Sequence, residues 1–353
     1  MAVSSQFLAR LGIQAPIIQA PMAGVATPEL AAAVSNAGAL GSLGIATSTA
    51  AQAKQMIEAT RAKTTQPFNV NLFCHAPAPR DTQREAAWLA YIAPLFAELG
   101  TAPPAALNEI YETFHTNDDM FNMLLEQRPP VVSFHFGLPA PDKLRALKNA
   151  GMFTLATATN PQEAALIEQA GIDAIIAQGI EAGGHRGMFD TEAVDERLST
   201  AVLVRQLAQQ TALPIIAAGG IMDGSGIKAM LHLGAAAAQM GTAFILCPES
   251  AANASYRDSL KSERASRTQL TAALSGRPAR GMVNRYIEFC SKVGAPRPAA
   301  YPMAYDANKH LSASAAAQGR HEFTAQWAGQ GAPLARERPA AELVKTLVKE
   351  IGL

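Results

Sequence analysis

The sequence predicts an α/β protein whose main body is a (β/α)8 barrel of the TIM-barrel type, with a helical cap formed by insertions after strands 3 and 8. Three observations lead to this prediction: eight short apolar runs, a helical pattern after most of them, and two intervals too long for simple crossovers. The runs are nearly continuously apolar, which is typical of parallel strands covered on both faces. A doubly wound open sheet is the alternative that this pattern leaves open.

The eight predicted strands each end in small or polar residues. In chain order they are residues 16–22, 39–44, 68–73, 131–137, 153–159, 174–180, 214–221 and 237–245. Segments such as TPELAAAVSNAG and NPQEAALIEQAG separate them. Each such segment begins near Pro, Asn or Asp and ends at Gly, which is the residue preference of helix N-caps and C-terminal caps.

Two intervals, residues 80–130 and 248–302, carry further helical patterns and leave the barrel after the carboxyl end of a strand. Because active sites of such barrels lie at that end, we expect both insertions to cover the active-site face. The predicted barrel domain therefore comprises residues 1–79, 131–247 and 303–353, and the predicted cap comprises residues 80–130 and 248–302.

Composition narrows the class of partner. The 353 residues include 29 Lys and Arg against 29 Asp and Glu, which argues against nucleic acid or an anionic membrane as the main partner. Three widely spaced cysteines give neither a disulfide framework nor a metal site. No apolar stretch approaches the ~18 residues of a membrane span, and no signal peptide is visible. We expect a cytoplasmic protein, monomer or homodimer, that binds a small molecule.

Polar residues fall at the carboxyl ends of the predicted strands, whereas the strand bodies are apolar. Gln19, Asn71, His135, Gln178 and His185 occupy these positions. Polar groups gathered at one rim of an apolar barrel indicate a pocket with a few orienting groups. Ordinary loop polarity is the alternative for each residue taken singly.

The seventh and eighth strands carry the glycine-containing stretches AAGGI and QMGTAF. Glycines let backbone N–H groups approach a phosphate, and such barrels frequently bind phosphate with the loops after these two strands. A tight turn alone would also explain the glycine pair. Since neither a P-loop nor the Rossmann glycine spacing is present, a phosphate-bearing flavin is favoured over ATP or a Rossmann-bound dinucleotide.

The stretch AQGIEAGGHRG delivers His185, followed by Arg186, after a glycine pair at a strand end. A titratable ring at this position suggests catalysis, although it could also brace the loop. Arg186 could pair with a carboxylate or with phosphate. From spacing alone, Lys309 looks like a surface lysine on a helix.

Several stretches together resemble a class I nitronate monooxygenase, a group also called 2-nitropropane dioxygenases. They are QAPMAGVATPELAAAVSNAGALG, FNVNLF, AQGIEAGGHRG, AAGGI, QMGTAF and YPMAYDANKHLSASAAAQGRHEFTAQWAGQGAPLAR, within residues 19–336. Most of these motifs are shared with flavin-dependent enoyl-acyl carrier protein reductases and NADH:quinone reductases. FNVNLF and the distal AYDANK…QWAGQG block point to the monooxygenase branch.

The resemblance implies a non-covalent FMN and oxidation of alkyl nitronates by O2 to a carbonyl compound and nitrite, without NAD(P)H. Propionate 3-nitronate, a toxic plant and fungal metabolite, is the implied favoured substrate. The resemblance implies that the flavin ring contacts Ala20, Pro21, Met22, Asn71 and Gln178, and that Gly183 contacts the cofactor near the glycine turn. It implies that the phosphate contacts Gly219, Gly220, Gln239, Met240, Gly241 and Thr242. Gln330 is also implied to approach the FMN. The implied substrate pocket comprises Tyr111, His135, Tyr301, Tyr305 and Lys309.

These residue types suit the implied chemistry. A nitronate is already an anion, so the site needs a positive or hydrogen-bonding wall rather than a strong base: Lys309 as a point charge, the tyrosines as neutral donors and His185 as a donor when protonated. We hypothesise that His185 is the catalytic residue, which orients the nitro group and balances developing charge. It could also deprotonate a neutral nitroalkane if its pKa stays near ~6.5.

Two other functions remain open at this stage. An NADH-dependent flavin reductase acting on a quinone or an enoyl thioester shares most of the motifs. A non-catalytic flavin-binding or ligand-sensing barrel is also open, because fold does not determine function.

Overall fold

The computed structural model describes residues 2–77 and 80–352. Its strands, in chain order, are β1 Ile17–Gln19, β2 Gly41–Gly44, β3 Phe68–Phe73, β4 Val131–His135, β5 Phe153–Ala158, β6 Ala174–Gln178, β7 Gly184–His185, β8 Ile215–Ala218, β9 Ala237–Met240, β10 Thr268–Thr271 and β11 Ala279–Met282.

Eight of these strands form a parallel barrel in the order β1-β9-β8-β6-β5-β4-β3-β2. A parallel bridge between Ile18 and Leu40 closes the ring between its two ends. The predicted (β/α)8 barrel is therefore confirmed, and the open doubly wound sheet is excluded by this closure.

The helices are α1 Ala2–Leu11, α2 Pro28–Asn36, α3 Ala50–Arg61, α4 Thr82–Ala97, α5 Asp118–Gln127, α6 Pro141–Asn149, α7 Pro161–Gln169, α8 Thr200–Gln210, α9 Gly224–Leu233, α10 Thr242–Ile245, α11 Ala254–Leu260, α12 Arg285–Cys290, α13 Met303–Ala316 and α14 Ala340–Ile351. Several begin at the predicted caps. The side chains of Thr27, Asn160 and Asp223 each accept a hydrogen bond from the backbone N–H three residues further on.

The barrel interior changes from apolar to polar along its axis. At the amino-terminal end, Ile18, Leu155 and Ile216 pack beneath α1, whose Phe7 meets Phe153 edge to face. Nearer the carboxyl ends the interior carries a buried amide and two hydroxyl groups: Asn69 Nδ2 donates to Ser42 Oγ at 3.2 Å and to Ser133 Oγ at 3.0 Å. Because one end is filled by hydrocarbon, only the other end is left for a ligand.

The two long insertions build a second hydrophobic core. Helix α4 contributes Trp88 and Ile92, and α12 contributes Tyr286 and Ile287. The inward face of α13 joins the same core through Met303, Ala304, Ala307 and Leu311. The predicted domain limits stay a prediction; the limit at residue 79 lies outside the described residues.

Part of the second insertion is a sheet where the sequence predicts helix. Strands β10 and β11 pair antiparallel, and β11 pairs in turn with β7, so that Ala279 lies opposite His185. The threonines of β10 are β-branched and favour an extended backbone, and β7 offers β11 a partner strand. This pairing ties the insertion directly to the strand that carries His185.

Within the described ranges, no helix is long and apolar enough to cross a membrane. Those residues also contain no group of three or more His, Cys, Asp or Glu side chains that could hold a metal ion.

Candidate active site

A cavity of about 360 Å3 opens at the carboxyl ends of the barrel strands and beneath the insertions. Every predicted site residue except Gln330 lines it: Ala20, Pro21, Met22, Asn71, Tyr111, His135, Gln178, Gly183, His185, Gly219, Gly220, Gln239, Met240, Gly241, Thr242, Tyr301, Tyr305 and Lys309. Gln330 is exposed, and its backbone N–H donates to the Glu181 carbonyl at 2.9 Å. Its neighbours Gly329 and Gly331 line the cavity, so the role predicted for Gln330 stays a prediction.

One side of the cavity, which we call the glycine wall, consists of Gly183, Gly219, Gly220 and Gly241. Gly219 has φ +129° and Gly220 has φ +70°, conformations that favour glycine. A Cβ on Gly183 would lie 2.4 Å from the backbone nitrogen of Gly329. In the described part of the chain, the N–H groups of Gly220 and Gly241 donate to no protein acceptor. Bare N–H groups on a surface without side chains suit an anion such as phosphate.

A buried polar atom beside the glycine wall supports the same interpretation. Gln239 lines the cavity, and its Oε1 is buried without a hydrogen-bond partner among the described residues. An unpartnered buried amide oxygen is costly unless a ligand or water completes it. The residues present therefore fit a bound group that carries both a phosphate and hydrogen-bond donors.

The two predicted amide contacts to the flavin ring differ. Asn71 donates to Ser133 through Nδ2, and its Oδ1 has no hydrogen-bond partner among the described residues. Gln178 uses both ends of its amide: Nε2 donates to the His185 carbonyl at 2.9 Å, and Oε1 accepts from the Gly187 N–H at 2.7 Å. Gln178 thus braces the loop of His185, and a single N–H of its amide remains for a ligand.

A second part of the lining, which we call the aromatic wall, consists of Tyr111, Tyr301, Tyr305, Trp327 and Lys309. Tyr111 and Tyr305 meet edge to face with ring centroids 5.9 Å apart. The Lys309 ammonium lies 4.9 Å from the centroid of the Tyr111 ring and 5.4 Å from that of Tyr305. It forms no salt bridge with any carboxylate in the described residues, so its charge is free for a ligand.

His185 reaches the aromatic wall and contacts it directly. Its ring centroid lies 5.1 Å from that of Trp327, 5.7 Å from that of Tyr301 and 6.2 Å from that of Tyr305. Its Nε2 lies 2.8 Å from Ser275 Oγ.

The protonation states correct one expectation about His185. Burial, reinforced by His135 and Arg277, lowers its pKa to about 3, and burial lowers the pKa of His135 to about 4. His185 is therefore neutral near neutral pH, so the role as a protonated donor does not hold for the unliganded site. The condition of a pKa near the ordinary value is also not met. Burial raises the pKa of Tyr111 and Tyr305 to about 12, so both remain neutral donors as expected.

His135 holds the His185 segment rather than presenting a free nitrogen. Its Nε2 lies 3.1 Å from the His185 carbonyl, which can only accept, so this nitrogen carries the proton. Its Nδ1 then accepts from the Thr157 hydroxyl at 3.1 Å. The substrate contact predicted for His135 stays a prediction, and neither ring nitrogen is left to make it.

Arg186 pairs with a carboxylate. Its guanidinium donates to both carboxylate oxygens of Asp195, at 3.0 and 2.9 Å, and does not line the cavity. The cavity lining also includes residues that were not predicted as site residues, notably Phe73, Tyr256 and Trp327. Phe73 ends the stretch FNVNLF and Trp327 lies within the distal block, so the resemblance is the signal that could have identified both; Tyr256 carried none.

The fold and the site together define a barrel enzyme with one wall suited to phosphate and a second, aromatic wall whose Lys309 pairs with no carboxylate of the described residues. The family model described as nitronate monooxygenase matches residues 4–350, and the chain belongs to that family. It is therefore an oxidoreductase of a family that in general depends on a flavin.

Two relatives and one solved structure extend this likeness over the whole chain. The nitronate monooxygenase of Pseudomonas aeruginosa PAO1 is 57% identical over 349 residues, 99% of each chain. That of Paraburkholderia phytofirmans is 55% identical over 341 residues, 97% of this chain and 93% of the relative. The nitroalkane oxidase structure from Streptomyces ansochromogenes has a TM-score of 0.90 at 39% identity and covers 99% of this chain and 98% of its own.

Proposed function

We propose that the protein is an FMN-dependent enzyme that oxidises alkyl nitronates with O2 to a carbonyl compound and nitrite, without NAD(P)H. Propionate 3-nitronate is the favoured substrate in this proposal. The observation that carries it is one cavity that is lined both by the glycine wall and by Lys309, whose ammonium lies over neutral tyrosines and pairs with no carboxylate in the described part of the chain.

The cofactor part of the proposal rests on the glycine wall. Gly219, Gly220, Gly241 and Thr242 would hold the FMN phosphate, and Gln239 would complete its hydrogen bonds with the cofactor. Ala20, Pro21, Met22 and Asn71 would lie along the flavin ring. When bound, the flavin would supply the redox chemistry that links the substrate to O2.

The aromatic wall would bind the substrate anion. The hydroxyl groups of Tyr111 and Tyr305 would donate hydrogen bonds to it, and Lys309 would supply a full charge. Lys309 is exposed, so its attraction to a carboxylate at about 4 Å is on the order of 1 kcal/mol rather than several. A nitronate that carries a second anionic group gains this contribution, which favours propionate 3-nitronate over simple alkyl nitronates.

The neutral state of His185 favours substrates that already are anions. A ring whose pKa has fallen to about 3 is a weak base, so removing a carbon-bound proton from a neutral nitroalkane is difficult for it. A preformed nitronate needs no proton removal. We therefore expect nitronates to react faster than the corresponding nitroalkanes.

The test is to supply the purified protein with propionate 3-nitronate in air and to measure nitrite release and oxygen uptake together. The proposal predicts that both appear, and that NADH neither is consumed nor is needed. Rapid NADH consumption with a quinone or enoyl thioester, without nitrite, would identify a flavin reductase. A spectral change without turnover would identify a sensor.

The cellular setting that we propose is the cytoplasm, with a small-molecule substrate and O2 as the only partners, as a monomer or homodimer. The equal numbers of acidic and basic residues support the absence of nucleic acid and membrane partners, because the chain has no excess of basic residues to bind either of them.

A further inference from the structure

A turn from the second insertion reaches the ring of His185. Ser275 lies in the connection between β10 and β11, is fully buried, and places Oγ 2.8 Å from His185 Nε2. The same insertion pairs with the backbone of His185 through β11. Strand pairing and a side-chain hydrogen bond therefore act on one residue from one segment.

The direction of each hydrogen bond follows from the count of protons. Ser275 Oγ also lies 3.1 Å from the Arg277 carbonyl, which can only accept and has no other donor among the described residues. The hydroxyl has one proton, and this carbonyl stays satisfied only if the proton goes to it. Ser275 Oγ then accepts from His185, so the neutral ring carries its proton on Nε2.

The other ring nitrogen is left for the ligand. Nδ1 of His185 forms no hydrogen bond with any described residue and is not among the enclosed unpartnered atoms, while the ring lines the cavity. With Nε2 protonated, Nδ1 carries the lone pair.

We propose that Ser275 is a positioning residue that holds His185 in the Nε2–H tautomer and leaves Nδ1 as the proton acceptor toward the substrate. This inference rests on the proposed function for its catalytic meaning, although not for the tautomer itself.

Neighbouring residues hold both His185 and Ser275 in place. The His185 carbonyl accepts from Gln178 and from His135, which fixes the backbone. On the other side, Gly276 has φ +93°, and a Cβ there would lie 2.4 Å from the Tyr301 nitrogen. The turn therefore packs against the backbone of the aromatic wall, and Ser275 has little freedom to move away from the ring.

The catalytic consequence concerns neutral nitroalkanes. The bond between the α-carbon and its hydrogen breaks, a bond forms between that proton and Nδ1, and the electron pair remains on the substrate as the nitronate. The Nδ1–H tautomer has no lone pair at this position and cannot take the proton. A substrate supplied as nitronate transfers no proton, so the tautomer affects it much less.

The primary test is nitrogen NMR of the purified holoenzyme labelled with 15N-histidine, with His185→Asn used to assign the signals. We expect a neutral His185 with its proton on Nε2, and an Nδ1–H ring in the wild-type protein would overturn the proposal. This measurement needs no variant at Ser275, and it holds whether or not the protein oxidises nitronates.

The second test compares Ser275→Ala with Ser35→Ala as a matched control. Ser35 is also buried and donates to a carbonyl, that of Pro67 at 2.8 Å, but it forms no hydrogen bond with His185. We expect Ser275→Ala to populate the Nδ1–H form and to lower the ratio of nitroalkane to nitronate kcat/KM about tenfold, with no change in Ser35→Ala. An unchanged tautomer and ratio in Ser275→Ala would contradict the proposal. If the wild-type protein did not oxidise nitronates at all, that result would instead contradict the proposed function.

Discussion

The two walls of the cavity are built in opposite ways. The glycine wall consists of backbone at the ends of barrel strands, and three of its members follow β8 and β9 directly. The aromatic wall consists of side chains from distant segments, since Tyr111 precedes α5 whereas Tyr305 and Lys309 lie on α13. The first wall works because side chains are absent, and the second works because particular side chains are present.

Because of this difference, the two walls suit two tasks. The glycine wall suits binding of a phosphate-bearing group, and the aromatic wall suits selection among substrates. Backbone N–H groups suit a phosphate whatever else the ligand carries, so the glycine wall fits a cofactor that many enzymes share. Tyrosine hydroxyl groups and one ammonium respond to the charge and shape of a substrate. His185 lines the same cavity and contacts the aromatic wall. It lies on β7, a short strand that pairs with β11 of the second insertion.

The largest expected effect is that of replacing His185. In His185→Asn, we expect oxidation of neutral nitroalkanes to fall about 100-fold, the low end of the usual contribution of a positioned proton acceptor, because the ring is a weak base. Nitronate turnover should fall much less, because a nitronate transfers no proton. Steady-state nitrite release measures both. The exposed His321→Asn is the control and should behave as wild type; unchanged nitroalkane kinetics in His185→Asn would refute the role.

A methyl group added to the glycine wall should weaken binding of the cofactor rather than binding of the substrate. Gly219→Ala forces an alanine to φ +129° and places its Cβ 2.7 Å from Thr200 Oγ1, so we expect FMN affinity to fall about tenfold or more. The flavin-to-protein ratio after gel filtration reports it. Gly151→Ala is the matched control, with φ +88° and open space around its Cβ. Retention of full flavin by Gly219→Ala would show that this wall does not hold the cofactor.

Removing the cation of the aromatic wall should discriminate between substrates. We expect Lys309→Met to raise KM for propionate 3-nitronate about fivefold and to affect an uncharged-tail nitronate less, because an exposed charge contributes on the order of 1 kcal/mol. The matched control is Lys292→Met, which removes another exposed ammonium over an aromatic ring, at 4.6 Å from the Phe289 centroid. An equal KM change for both substrates would contradict a role in reading the second anion.

The last prediction concerns the stability of the fold rather than turnover, and it rests on three histidines. Burial lowers the pKa of His75, His135 and His185 to about 4, 4 and 3, below the ~6.5 of an unfolded histidine. Between these values the unfolded chain binds more protons, so the free energy of unfolding should fall as pH decreases from about 6.5 toward 4.

Denaturant unfolding at a series of pH values measures this loss of stability. His75→Phe should weaken the pH dependence, since the histidine is buried with both ring nitrogens unpartnered in the described structure. His232→Phe, at an exposed position on α9, is the matched control for replacing a histidine by phenylalanine. A pH dependence identical in His75→Phe and wild type would show that this ring does not contribute.

Much of the fold was predictable because its signals are local. Apolar runs, helix caps such as Thr27 and Asn160, and glycines after the last two barrel strands each lie within a few residues of the element that they define. The barrel and the glycine wall follow from such signals. The aromatic wall was reached through the resemblance, because from spacing alone Lys309 looks like an ordinary surface lysine.

What escaped prediction depends on contacts between distant segments. Strands β10 and β11 are four residues each, and their pairing with β7 joins residues about 95 positions apart, as in Ala279 and His185. Ser275 has no sequence signal, since its importance lies only in the distance to one ring nitrogen. The low pKa of His185 likewise arises from burial beneath the insertions, which no local pattern reports.

The central claim is that a flavin bound in this cavity is reduced by an anionic nitronate and not by a nicotinamide. Anaerobic titration of the purified yellow protein, first with NADH and then with propionate 3-nitronate, tests it most directly. The account predicts that the oxidised-flavin absorbance persists with NADH and is bleached by the nitronate. Rapid bleaching by NADH with no response to the nitronate, or a colourless protein that does not take up FMN, would contradict it.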